Sequence, residues 1–257
     1  MVRKGGNHTM KIAAISDIHG NLDALDAVLA DIARRGVDVT VNLGDIVSGH
    51  LQPRATAARL MGLGLPTIRG NHERQLLGDP ARMGVSDAYA RAQLLPEQLD
   101  WIAALPATLR LRHDVLLVHG TPASDLVYFL DSVTPQGSRA ATPMEVAERA
   151  GDADAALILC GHTHMPRQVR LADGRLIVNP GSVGLQAYDD DHAYPHVMQN
   201  GTPHARYAIA EQAMDGAWTA QLHAVEYDWE QAARLALANG RPDWVVPLRT
   251  GRVGVLT

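Results

Sequence analysis

The sequence predicts a mixed α/β fold, and two features of the chain predict it. Up to Ile68, short apolar runs with β character alternate with segments whose apolar residues recur at helical spacing. After Leu105 the pattern changes to pairs of strands joined by short turns, which indicates antiparallel pairing. No repeat, low-complexity tract or linker interrupts the chain. We therefore expect one α/β domain over residues 10–257, preceded by a flexible polar leader at residues 1–9.

The first part of the chain is predicted as alternating strands and helices. Asn21 is placed to cap the first helix, and Gly36 follows the end of that helix. The expected strands are Lys11–Ser16, Val37–Leu43 and Leu65–Ile68, and the expected helices are Leu22–Arg35 and Arg54–Met61.

The second part is predicted as four further helices, with hairpins dominating after Leu105. The helices are Val85–Leu94, Glu97–Leu105, Thr142–Ala150 and Trp229–Ala238. The paired strands are Thr108–Arg112 with Val115–Val118, Val169–Leu171 with Arg175–Val178, and Arg206–Ala213 with Trp218–Tyr227. Ala155–Cys160 is apolar throughout, which is typical of a strand buried on both faces. Residues 185–202 are predicted as a polar loop, either solvated or closing over a site as a lid.

Composition limits the classes of function. Of the 257 residues, 46% are hydrophobic and 20% are charged, which is typical of a globular protein. The net charge of −5 argues against non-specific binding to nucleic acid or to an anionic membrane. No apolar stretch approaches the length of a membrane span. The single Cys160 excludes an intrachain disulfide and favours a reducing compartment, so we expect a cytoplasmic protein.

Polar clusters follow several of the apolar runs, at the point where each run ends. Each cluster joins a glycine to His, Asp or Asn, as in Gly44-Asp45 and His119-Gly120. In open α/β sheets, ligands bind beyond the carboxyl ends of the strands, so these clusters are expected to converge at one edge. Imidazole and carboxylate groups together are suitable ligands for Zn²⁺, Mn²⁺ and similar ions. Each cluster alone is also compatible with an ordinary capped turn.

Taken together and in order, the clusters resemble the motif blocks of the calcineurin-like metallophosphoesterases. Asn179-Pro180-Gly181-Ser182 and Val225-Glu226-Tyr227-Asp228 are similar to the small bacterial branch related to YfcE-type phosphodiesterases and diadenosine tetraphosphatases. The resemblance implies a four-layer αββα sandwich of two mixed sheets flanked by helices. The blocks are Asp17-Ile18-His19, Gly44-Asp45, Gly70-Asn71-His72-Glu73, His119-Gly120 and Gly161-His162-Thr163-His164.

The resemblance also implies a role for individual residues. His72 matches a catalytic imidazole that does not bind metal, and Arg69 matches a phosphate-binding arginine of the protein phosphatase branch. Asn21 is a candidate substrate contact, or only a helix cap. The implied ligands of two divalent ions, with Mn²⁺ favoured over Fe, Ni, Co or Zn, are Asp17, His19 and His164 for one ion, Asn71, His119 and His162 for the other, and Asp45 as the bridge.

The implied activity is hydrolysis of phosphomonoesters or phosphodiesters by attack of a metal-bridging hydroxide on a small phosphorylated substrate. A dinucleoside polyphosphate hydrolase, a protein phosphatase and a non-catalytic metal-binding scaffold are the alternatives. A dedicated protein phosphatase is less favoured, because Gly44-Asp45 continues as Ile46-Val47-Ser48 and lacks the second arginine-bearing motif of that branch.

Overall fold

A computed structural model describes residues 10–254, so the predicted leader at residues 1–9 lies outside the described residues. The helices are Leu22–Ala33 (α1), Pro53–Leu63 (α2), Asn71–Leu76 (α3), Val85–Gln93 (α4), Pro96–Ala104 (α5), Pro143–Ala150 (α6), Trp229–Ala238 (α7) and Val245–Thr250 (α8). The strands are Lys11–Ile15 (β1), Val39–Asn42 (β2), Leu109–Arg112 (β3), Val115–Leu117 (β4), Asp131–Thr134 (β5), Gly137–Ala140 (β6), Leu157–Leu159 (β7), Arg167–Arg170 (β8), Leu176–Asn179 (β9), Ala187–Asp190 (β10), His196–Gln199 (β11), Ala205–Gln212 (β12) and Trp218–Val225 (β13).

Two mixed sheets form the centre of the fold. The first has the strand order β13-β12-β1-β2, in which β1 is parallel to β2 and antiparallel to β12. The second has the order β3-β4-β7-β9-β8, with β4, β7 and β9 parallel to one another. The parallel strands therefore end at a common edge of each sheet, as the sequence pattern predicts.

The side chains of β1 explain why the two sheets pack together with helices outside them. Ile12 and Ala14 point to one face of the strand and pack with Leu117 and Leu159 of the second sheet. Ala13 and Ile15 alternate with them and pack against α1 and α2 on the opposite face. On the far side of the second sheet, Ile158 and Ile177 of β7 and β9 pack against Val146 of α6. The predicted sandwich of two mixed sheets flanked by helices is confirmed.

Several parts of the chain differ from the predicted elements, and three of them concern strands. The expected strand Leu65–Ile68 forms only a single parallel bridge, from Thr67 to Asn42, because Pro66 has no N–H to donate to a ladder. The prediction of a loop at residues 185–202 is wrong, because this segment contains the hairpin β10–β11, which buries Ala187 and Met198. A second hairpin, β5–β6, was not predicted, since its strands are short and mostly polar.

Within residues 10–254, none of the helices has the length and apolar character that a membrane crossing requires.

Candidate metal centre

The candidate site lies where the loops after β1, β2, β4 and β7 meet the start of α3. Backbone hydrogen bonds join these loops in pairs. The N–H of Asp17 donates to the carbonyl of Gly44 at 3.0 Å, and the N–H of Gly161 donates to the carbonyl of His119 at 2.8 Å. The side chains that follow each strand are thereby held at one place, which lies between the two sheets.

The backbone at this place adopts an unusual conformation. Six non-glycine residues in the described part of the chain have positive φ, and five of them are predicted metal ligands. Such a conformation costs about 1–3 kcal/mol per residue and persists only where the surroundings enforce it. The five are Asp17 (54°), His19 (51°), Asp45 (53°), His162 (70°) and His164 (60°).

The structure brings the predicted ligands into two groups, each with its ligand atoms within 4.8 Å of one another. Group A consists of Asp17, His19 and His164, and group B consists of Asp45, His119 and His162. In group B, His119 Nε2 lies 3.1 Å from Asp45 Oδ2 and 3.0 Å from the amide oxygen of Asn71. Asn71 therefore presents its oxygen to group B, as a ligand would. Whether Asp45 bridges two ions stays a prediction.

Backbone carbonyls orient all four of these imidazoles. In each ring one nitrogen bonds a carbonyl oxygen and must carry the proton, so the other nitrogen is the one free to bind a metal. The pairs are His19 Nδ1 with Ser48 (2.8 Å), His119 Nδ1 with Leu43 (2.8 Å), His164 Nδ1 with Leu185 (2.7 Å) and His162 Nε2 with Leu126 (3.1 Å).

Group A fits a cation. Nε2 of His19 and Nε2 of His164 lie only 3.0 Å apart, and each ring already donates its Nδ1–H elsewhere. Burial lowers the pKa of His19 to about 4 and the pKa of His164 well below its usual value, so both rings are neutral at neutral pH. Two lone pairs then face each other with no proton between them. A cation that both nitrogens bind removes this repulsion.

The charge balance in group B is different. Burial alone would lower the pKa of His119, but the negative charge of Asp45 outweighs burial and raises this pKa to about 10. Burial, together with the neighbouring charge of His119, lowers the pKa of His162 to about 3. Without metal, a proton on His119 therefore compensates the buried Asp45 carboxylate. A divalent cation bound in its place would serve the same electrostatic purpose.

His72 stands beside both groups and has its own partners. Its Nδ1 lies 2.8 Å from Asp87 Oδ1 and 3.1 Å from Ser48 Oγ, and the Ser48 hydroxyl also donates to Asp87 at 2.7 Å. Burial lowers the pKa of His72, but the charges of Asp45 and Asp87 outweigh it and raise this pKa to about 9. The ring is thus fixed with Nδ1–H toward Asp87, which leaves Nε2 for another partner.

Glu73 ties the loops of the site together. Its carboxylate accepts hydrogen bonds from the backbone N–H groups of Asp45 (2.8 Å), Ile46 (2.7 Å) and Gly70 (2.9 Å). The sequence indicates only its place at the start of a helix, since the reach to Asp45 depends on tertiary structure. Gly70 is required by close packing, because a Cβ there would lie 2.2 Å from Asp45 Oδ1.

A cavity of about 690 Å³ opens from the two groups. His72, His162 and His164 line its inner part, and the hairpin β10–β11 lines its outer part. Tyr188 of this hairpin stacks edge-on against His164, and its hydroxyl lies 2.7 Å from that of Tyr128. The segment predicted as a loop or lid is therefore an ordered wall of the cavity.

Two residues predicted to contact substrate lie elsewhere. The Asn21 side chain caps α1 through the N–H of Ala24, and its amide donates to the carbonyl of Gly184 at 2.9 Å and to Tyr227 Oη at 3.2 Å. With these bonds formed, Asn21 is buried and does not line the cavity. Arg69 does not line the cavity either, and its backbone N–H donates to the carbonyl of Pro106.

Sequence reasoning missed the residues that support the site from distant segments. Asp87 lies on α4, and Tyr128 and Tyr188 lie outside any of the recognised blocks. No local pattern marks them, since their partners come from other parts of the chain. Ser48 could have been noticed as the residue three positions after Asp45, on the loop that carries the block.

Comparison with known proteins agrees with this geometry. Residues 10–198 match the model of the calcineurin-like phosphoesterase superfamily domain. A protein of Methanocaldococcus jannaschii is 27% identical over 255 residues, covering 91% of this chain and 95% of its own. The crystal structure of a metallophosphoesterase from Sphaerobacter thermophilus is 27% identical, covers 95% of this chain and 100% of its own, and superposes with a TM-score of 0.73. A candidate diadenosine tetraphosphatase shares the fold, with 18% identity, coverage of 84% and 95%, and a TM-score of 0.50. The chain belongs to the calcineurin-like phosphoesterase superfamily.

Proposed function

We propose that the protein hydrolyses phosphomonoesters or phosphodiesters of small molecules with the help of two divalent metal ions. The observation that supports this most directly is the arrangement of the ligand atoms. Groups A and B each contain two imidazoles and one carboxylate within 4.8 Å, and His72 lies beside them in the same cavity. One ion would be held by Asp17, His19 and His164, and the other by Asn71, His119 and His162, with Asp45 shared.

Two ions bound there would neutralise the phosphate charge and lower the pKa of bound water toward neutrality. The protein itself supplies the remaining functions. Carbonyl bonds hold the imidazoles in the tautomer that ligation requires, and the Glu73 carboxylate fixes the loop of Asp45. His72, held by Asp87 through Nδ1, can give the proton on Nε2 to the oxygen of the leaving group.

The size of the cavity supports a small phosphorylated substrate, such as a nucleotide. A volume of about 690 Å³ is within the range of pockets that bind small molecules. We propose Mn²⁺ as the working ion, because mixed imidazole, amide and carboxylate sites of this kind accept it together with Fe, Co, Ni or Zn. The single, buried Cys160 is consistent with a protein of the cytoplasm.

Hydrolysis of chromogenic substrates by the Mn²⁺-loaded protein tests the proposal. We expect release of p-nitrophenol from p-nitrophenyl phosphate, from bis-p-nitrophenyl phosphate, or from both. Asp45→Asn should abolish the activity, while the exposed Asp100→Asn should leave it unchanged. Absence of hydrolysis of both substrates by a folded protein that binds two equivalents of Mn²⁺ would refute the proposal and favour a non-catalytic scaffold. The rate of hydrolysis of diadenosine tetraphosphate, measured in parallel, compares dinucleoside polyphosphates with the phosphomonoester and the phosphodiester.

A further inference from the structure

We propose that Arg149 forms a second anion subsite in the cavity, so that the preferred substrates carry a phosphate or carboxylate in addition to the phosphate that is hydrolysed. This inference rests on the proposed phosphoesterase function and specifies its substrate class. Arg149 lies on the last turn of α6 and lines the same cavity as the metal ligands. Arg149 lies outside all of the sequence blocks described above.

The charges around Arg149 leave it without a carboxylate partner. Glu145 is hydrogen-bonded to Arg139, with contacts of 2.7 and 2.8 Å. Asp131 is hydrogen-bonded to Arg167 at 3.0 Å. Glu145 and Asp131 are thus each paired with another arginine. Within residues 10–254, Arg149 donates only to uncharged acceptors, so its positive charge is not cancelled by an ion pair.

Those uncharged acceptors hold the guanidinium in place without using all of its donors. Nη1 donates to the carbonyls of Phe129 (3.1 Å) and Asp131 (2.8 Å), and Nη2 donates to Ser132 Oγ (2.7 Å). A guanidinium has five N–H groups, so two remain for a ligand. Because the side chain is already fixed by three bonds, little conformational entropy is lost when an anion binds.

Partial burial makes an unpaired cation costly, because the charge loses part of its hydration. Burial lowers the pKa of Arg149, and the nearby charges of Glu145, Asp131 and Glu148 oppose this effect only in part. An anion in the cavity would offset the desolvation cost. The other arginine of the cavity, Arg241, differs in this respect, since Asp243 contacts it at 2.7 to 3.1 Å.

A continuous wall connects Arg149 to the metal centre. Tyr128 packs edge-on against His162 of group B at 5.1 Å between ring centroids, and the next residue, Phe129, supplies a carbonyl that holds Arg149. A substrate whose scissile phosphate lies at groups A and B would therefore extend along Tyr128 toward Arg149. Besides Asp45, three carboxylates line the cavity. Asp131 is paired with Arg167, and Asp189 and Asp190 are exposed, so that solvent screens their charge.

The test compares adenosine 3′,5′-bisphosphate with adenosine 5′-monophosphate, since the two probes differ by one phosphate. We expect the Mn²⁺-loaded protein to have a higher kcat/KM for the bisphosphate. In Arg149→Met, the ratio of the two kcat/KM values should fall by about 10- to 100-fold, as expected when a charged hydrogen-bond partner is lost. Arg149→Lys, which keeps the charge, should retain part of the preference. Arg59→Met is the matched control, because Arg59 is exposed, is paired with Asp26 and does not line the cavity, and it should leave the ratio unchanged.

A second readout is calorimetric titration of both probes into the metal-free protein, with thermal denaturation of each variant to confirm folding. Arg149-dependent, tighter binding of the bisphosphate without metal supports the subsite even if no phosphoester is hydrolysed. Hydrolysis of p-nitrophenyl phosphate with equal kcat/KM for the two nucleotides overturns the subsite and leaves the proposed function intact. A folded Arg149→Met variant with an unchanged ratio overturns it as well.

Discussion

The contact between His72 and Asp87 gives the sharpest test of the proposed proton donor. Replacing Asp87 by Asn keeps the size of the side chain but removes the negative charge that holds and polarises the imidazole. Asp87 is only 3% exposed and lies 2.8 Å from His72 Nδ1, so solvent does little to screen the interaction. A hydrogen bond to a charged partner contributes about 1.5 kcal/mol more free energy than a hydrogen bond between neutral groups. This corresponds to about a tenfold loss of rate for a reaction that depends on His72.

The loss should depend on the leaving group. p-Nitrophenolate leaves readily without a proton, whereas phenolate is more basic and gains more from protonation by His72. In the Mn²⁺-loaded protein, we expect Asp87→Asn to lower kcat for phenyl phosphate about tenfold and kcat for p-nitrophenyl phosphate by clearly less. Steady-state kinetics on both substrates measures the difference, and Asp100→Asn serves as the exposed control. An equal decrease for both substrates, or none, would refute the assignment of His72 as the proton donor.

Three further outcomes are expected. Gly70→Ala should prevent stoichiometric Mn²⁺ binding, because the new Cβ would lie 2.2 Å from Asp45 Oδ1; metal analysis of the purified variant checks this, and full occupancy would contradict it. Removal of metal by a chelator should lower the Tm, since an ion present at about 100 times its Kd stabilises the folded state by about 2.7 kcal/mol; a Tm independent of metal would contradict it. Burial raises the pKa of Asp31, but hydrogen bonds from Tyr207 and Arg35 outweigh burial and lower this pKa to about 2. The contribution of the Asp31 carboxylate to stability is therefore present above its usual pKa of 3.8 and is lost as the pH falls toward 2. Asp31→Asn should flatten the decrease of Tm in that pH range, and thermal melts between pH 5 and pH 2 measure it.

The sequence indicated which side chains lie together at the candidate site, but it left several of the surrounding elements unpredicted. Asp17, Asp45 and His119 each lie two or three residues after the end of a strand, so a local pattern marks them and the parallel strand order brings them together. Asn21 shows the limit of such reasoning. Its position in the sequence suits either a cap or a substrate contact, and only the bonds to Gly184 and Tyr227 decide between them.

The same limit applies to the walls of the cavity. The hairpin β10–β11 has few apolar residues in alternation, so its strands are not evident from periodicity. Tertiary contacts stabilise it: the Ser138 hydroxyl donates to the carbonyl of Val197 at 2.7 Å, and Tyr128 Oη lies 3.0 Å from His196 Nε2. These partners are far apart in the sequence. The determinants of substrate size and charge therefore belong to the part of the molecule that the family motifs do not describe.

The strained backbone of the ligand residues explains why the supporting contacts are so numerous. Positive φ at Asp17, Asp45 and His164 costs free energy in the folded state, and repulsion between the imidazole lone pairs of group A adds to it. Hydrogen bonds to Glu73 and to the backbone carbonyls must offset this cost before any metal binds. The ligands are thus preorganised, so binding of an ion would relieve repulsion without a further free-energy cost for ordering the side chains. Preorganisation of this kind predicts that the metal-free protein retains its fold while gaining stability from each ion it binds.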